Sequence, residues 1–133
     1  MSEPGYSVDA VVEVAEFRAA LRRFLRQSER VSRIYGLTPQ RYLLLLMIKG
    51  APDKSEYSTV TELATRLQLA QSTVTELVMR AEEIGLVERE PSPLDARVAH
   101  LRLTAEGERR LEQSFTHLTT ERVQLREAIL THL

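Results

Sequence analysis

Three histidines, His100, His117 and His132, are the side chains best suited to acid–base or metal chemistry, and their spacing does not assemble it. They are scattered over a predicted strand and a predicted last helix. No short ligand spacing, Ser/His/Asp set or paired carboxylates brings partners to them. The chain has no cysteine, which removes disulfides, thiolate metal sites, cysteine nucleophiles and thiol redox sensing together. No catalytic residue, metal or cofactor is therefore expected. The chemistry left is hydrogen bonding and ion pairing, concentrated in Gln71-Ser-Thr73, Thr75 and Glu76 at a helix start and in Asp95-Ala-Arg97 within a turn.

The elements that must position these groups run from Thr59 to Gly107. Thr59 and Glu62 stand at capping-box spacing ahead of Leu63 and Leu67, which predicts one short helix. A second helix is expected from Ala70 or Gln71 to Glu83, burying Val74, Leu77, Val78 and Ala81 and ending at Gly85. Leu86-Val87 and Val98 to Leu103 alternate as strands do, around Pro91-Ser-Pro-Leu-Asp-Ala-Arg97. A helix-turn-helix followed by a hairpin is a shape that puts one helix into a DNA groove.

The flanking segments read as long helices. From Val8 to Tyr35, residues Val14, Phe17, Leu21, Phe24, Val31 and Ile34 recur mostly at spacings of three and four. A helix of roughly 40 Å is too long for a compact monomer of this size, so its stripe is expected to pack partly on a second subunit. Residues 1–7 read as a loose tail, and Gly36 closes the helix. Thr38-Pro39 then opens another around the apolar block Tyr42 to Ile48, the expected centre of the fold. Thr104 is expected to cap one last helix reaching the C-terminus. In that helix Leu111, Phe115, Leu118, Leu125 and Ile129 approach a heptad seam, interrupted by Arg122. An arginine so placed is more often a register device than a catalyst, and its candidate partner is an acidic residue of a second chain.

With 133 residues, 43% of them hydrophobic, a single domain with a packed core is expected. The longest apolar run is far short of the roughly 20 residues that span a bilayer. Nor does the N-terminus have the basic start and apolar block of a signal peptide. These features predict a soluble cytoplasmic chain that is not an enzyme. The net charge is −1, and its distribution is uneven. Thr59 to Gly107 holds five basic and eight acidic residues, a formal −3, whereas seven arginines and one acidic residue, Glu29, fall between Arg18 and Arg41. The arginines of the first helix read foremost as a solvated face.

At Asp95-Ala-Arg97 and Leu103-Thr-Ala-Glu-Gly107 the sequence resembles the wing-to-last-helix signature of the MarR family of winged helix-turn-helix regulators. Leu37-Thr-Pro-Gln40, Val60-Thr-Glu-Leu-Ala64, Ser72-Thr-Val74 and Gly85-Leu-Val-Glu-Arg89 stand in the same order as in that family. The resemblance implies a mainly α fold with a small β-hairpin wing, in which residues 1–133 form one domain. Residues of about 8–35 and 108–133 would be dimerisation helices, and about 38–107 the DNA-binding lobe. It further implies a cytoplasmic homodimer on a pseudo-palindromic, double-stranded operator. Such proteins usually repress and are often released by a small aromatic or apolar effector.

Carried over position by position, the resemblance makes Gln71, Ser72, Thr73, Thr75 and Glu76 the start of a recognition helix, with Arg80 further along it. Arg97 becomes the wing arginine that enters a minor groove, and Asp95 the carboxylate that orients it. Asp95 and Arg97 would also stabilise the turn as an ion pair. Ala70 stands where a capping serine is common, at a cost of about 1 kcal/mol unless the helix starts at Thr73 with Glu76 as its partner. Glu76 and Ala96 stand where arginine is common. Compensating contacts are expected from Arg41, Arg66 and Arg80, and an effector pocket near Phe17, Phe24, Tyr42 and Leu46. The acidic reading head keeps a rival open, a dimeric protein-interaction module whose winged helix has lost DNA affinity.

Overall fold

The computed structural model describes residues 5–132, so the first four residues of the expected tail lie outside it. Ser7 caps the first helix, its hydroxyl accepting from the Ala10 amide at 3.1 Å. The elements follow as α1 (Val8–Ile34), α2 (Pro39–Lys49), β1 (Tyr57–Ser58), α3 (Val60–Leu67), α4 (Gln71–Glu83), β2 (Val87–Pro91), β3 (Ala99–Leu103), α5 (Ala105–His117) and α6 (Thr119–His132). The strands form one antiparallel sheet in the order β1-β3-β2. No helix among the described residues is long and apolar enough to cross a membrane.

The apolar block of α2 is the hub. Tyr42, Leu44, Leu45 and Ile48 are buried there, while Leu43 stays 41% exposed on the outer side. Around them pack Leu63 of α3, Val74, Val78 and Ala81 of α4, and Leu101 and Leu103 of β3. Leu111 and Leu118 of the C-terminal segment join the same cluster. Thr38 starts α2 by accepting from the Arg41 amide at 3.1 Å, with Pro39 at the first helical position, where a missing N–H costs nothing.

Two signature glycines do different work. Gly85 takes φ +76° and lets the Leu86 amide return to the Ala81 carbonyl, closing α4. A Cβ on Gly107 would meet the Leu86 carbonyl oxygen at 2.1 Å, so only glycine lets α5 start this close to the chain entering β2. Thr104 seals the junction: its hydroxyl accepts from Gly107 and donates to the Gly85 carbonyl, and its amide reaches the Leu86 carbonyl at 3.1 Å.

The C-terminal segment corrects one expectation. The last helix is not continuous but breaks at Leu118, which is fully buried. The Thr119 hydroxyl donates to the Thr116 carbonyl at 2.9 Å and competes for the acceptor a continuing helix would use. The expected seam therefore divides. Leu111 and Leu118 serve the chain's own core, whereas Phe115 is 46% and Ile129 38% exposed. Arg122 also finds a place within its own chain: its guanidinium lies over the Phe115 ring at 3.7 Å and donates to the Thr119 hydroxyl at 3.3 Å.

Candidate nucleic-acid interface

The α3–α4 turn sets how the candidate reading helix is presented. Thr59 and Glu62 make the full reciprocal capping box, and α3 ends where Gln68 adopts a left-handed conformation, φ 58°. One extended residue, Ala70, leads into α4 at Gln71. The start does not shift to Thr73. The Ala70 carbonyl already accepts from the Val74 amide at 3.1 Å, and burial of Val74 holds that first turn in place. Ala70 makes no side-chain cap bond, so the turn goes without one.

Because α4 buries Val74, Val78 and Ala81, the groups between them are turned outward. Gln71, Ser72, Thr73, Thr75 and Glu76 are all exposed. Gln71 leans back toward α3, its amide nitrogen 3.4 Å from the Thr61 hydroxyl. Glu76 pairs with Arg80 one turn on, at 3.1 Å. An open groove of about 510 Å³ separates this helix from the start of α2, lined by Thr38, Gln40, Arg41, Thr73, Glu76 and Arg80. Met79, half exposed on the same helix, lies outward beside them, opposite the buried Val74, Val78 and Ala81.

The wing carries its pair as one unit. Asp95 Oδ1 accepts from the Arg97 amide at 3.0 Å and from Arg97 Nε at 3.1 Å, and Oδ2 accepts from Nη2 at 3.2 Å. Those bonds hold the Asp95 carboxyl below the ordinary carboxylate range. The Arg97 side chain is nevertheless 89% exposed, so the ion pair orients the guanidinium without hiding it. At the other end of the hairpin Arg89 clasps Glu82 through Nε at 3.0 Å and Nη2 at 2.6 Å, tying the wing to α4.

The arginines expected to compensate face different ways. Arg66 donates to the carbonyls of Met47 at 2.7 Å and Gly50 at 3.1 Å, so it caps the C-terminal end of α2 instead of facing outward. Arg41 and Arg80 both line the open groove.

The four residues expected to form an effector pocket are set apart. Phe17 is half-buried on α1, and Phe24 lines a cavity of about 470 Å³ between α1 and α6, among Arg23, Arg26 and Arg30. Tyr42 is buried in the core, where burial pushes its phenol up against the opposing pull of Arg122. Leu46 alone reaches an apolar cleft, of about 360 Å³, with Leu111 and Phe115 and with Lys49 and Glu108, which pair at 2.7 Å. The α5 residues of that cleft were invisible to spacing, because Leu111 and Phe115 read equally well as seam positions.

Comparison with known proteins agrees with this geometry. A family model described as "MarR family" matches residues 35–98. The chain is 33% identical over 107 residues to an uncharacterized HTH-type transcriptional regulator, YsmB, of Bacillus subtilis (strain 168), spanning 77% of this chain and 70% of that one. It is 30% identical over 113 residues to the HTH-type transcriptional repressor IacR of Pseudomonas putida, across 77% of this chain and 65% of the relative. The fold is similar to that of a mutant MarR from E. coli complexed with operator DNA, with a TM-score of 0.67 at 23% identity over 81% of this chain and 75% of that one.

Proposed function

From the premise that this chain belongs to the MarR family, we propose that it is a cytoplasmic, sequence-specific DNA-binding transcriptional regulator. It acts as a homodimer on a pseudo-palindromic operator, represses there, and is released by a small aromatic or apolar effector. One observation carries the reading most directly. Five polar side chains, Gln71, Ser72, Thr73, Thr75 and Glu76, are exposed together on the first two turns of a helix whose opposite face is anchored in the core. Amide and hydroxyl groups so presented can meet base edges and phosphates. Arg80 and Arg97 add charge, and Asp95 holds Arg97 in position.

Exposed apolar side chains support the homodimer. Val8, Val11, Val12 and Val14 line the first half of α1, and Val123 and Leu130 stand on α6, all of them at least 48% exposed. A two-fold dimer would place its half-sites about one helical turn apart. The effector seat best supported is the Leu46, Leu111 and Phe115 cleft, whose volume falls within the usual range for small-molecule sites.

Selection from a randomised duplex library at low salt tests the central reading. Enrichment of an inverted repeat over bulk competitor is expected. If no sequence is enriched, the regulator reading fails and the protein-interaction module takes its place. Titration calorimetry with aromatic acids tests the effector: heat of binding with a rise in melting temperature is expected, and the absence of both removes that part of the proposal.

A further inference from the structure

Each residue of a helix is turned by about 100° from the last, so the line opposite Val74, Val78 and Ala81 on α4 runs through Ser72, Glu76 and Met79. This line reaches furthest into a groove once the helix is docked. A carboxylate is therefore carried where phosphates and base acceptors are densest. Guanine offers a carboxylate two acceptors in the major groove, thymine an acceptor and a methyl, and adenine an amino group flanked by the N7 acceptor. Cytosine offers an amino donor with no acceptor beside it.

Resting on the regulator reading, we infer that Glu76 selects a cytosine in each operator half-site, with Arg80 as its positioning residue. Arg80 Nη2 donates to Glu76 Oε1 at 3.1 Å and leaves Oε2 to accept from the cytosine N4 amino group. The pair stands in the open, with side-chain exposures of 61% for Arg80 and 66% for Glu76, and among the described residues no hydrogen bond is made to that oxygen. Arg80 also offsets the repulsion between Glu76 and the phosphates, which an unpaired carboxylate would meet in full. Met79, the next residue on the line and 52% exposed, gives an apolar surface to a neighbouring thymine methyl.

Library selection with the wild type, Glu76→Gln and Glu76→Ala tests this. The wild type should hold one cytosine per half-site, with replacement of that base costing roughly 5- to 150-fold in affinity. Glu76→Gln should move that position toward adenine, which a glutamine can pair with bidentately. Glu76→Ala should level the preference there and leave the other positions unchanged. Because Glu76 is exposed, both variants should melt at the wild-type temperature. If both variants keep the wild-type preference at every position, the assignment of Glu76 is overturned while the regulator reading stands. If the wild type itself enriches nothing, both fall.

Discussion

Arg97 shows how one side chain serves two ends. Its bonds to Asp95 organise the wing turn, and its exposure leaves the guanidinium accessible for the minor-groove contact proposed for it. Arg97→Ala should weaken operator binding by about 1–3 kcal/mol, most strongly where the flanks are A·T-rich and the groove is narrow. Fluorescence anisotropy at fixed salt with two flanking sequences would check it, and unchanged affinity for both would remove the groove contact. Glu106 gives a prediction of another kind. Hydrogen bonds from Arg109 and then Arg110 lower its carboxyl from the ordinary 4.5 to about 2. A lowered folded-state pKa contributes stability that is present above 4.5 and lost as pH falls toward about 2. Carbon-detected titration should find the Glu106 midpoint well below 4.5, and Glu106→Gln should lose part of the acid sensitivity of unfolding over that window.

Among the elements, α4 begins without a side-chain cap. α1, α2, α3 and α5 each have a hydroxyl at the N-cap accepting a backbone amide, whereas α4 starts at Ala70 with no side-chain cap bond. Ala70 already has the extended conformation of a cap residue, φ −65° and ψ 148°. Ala70→Ser should therefore stabilise the protein by about 0.5–2 kcal/mol, read as a rise in melting temperature. An unchanged or lower value would mean that the exposed first turn has solvent as an equal partner. The break between α5 and α6 has the opposite origin. There a fully buried Leu118 and a hydroxyl-to-carbonyl bond outweigh a pattern that would otherwise continue the helix.

At the scale of the whole molecule, charge decides how binding should respond to salt. With Arg66 committed to the end of α2, the outward candidates are Arg41, Arg80 and Arg97, three per protomer and six per dimer. At about −0.9 per neutralised phosphate, log affinity should fall with log salt at a slope no steeper than about −5. A much steeper slope would bring in further basic residues, the exposed arginines of α1 first. The sequence by itself determined the order of α1 to α4 and the two wing strands, the caps at Thr38, Thr59 and Thr104, the helix stops at Gly36 and Gly85, and the wing pair Asp95–Arg97. These depend on neighbours a few residues apart, whose hydrogen bonds and backbone angles are set locally. Tertiary structure alone decided that Arg66 turns inward, that Leu118 interrupts the last helix, and that Leu46 meets Leu111 and Phe115 while Phe17 and Phe24 lie elsewhere. Each of these depends on which face of a helix packs against residues far away in the chain, and periodicity gives a face without naming what covers it.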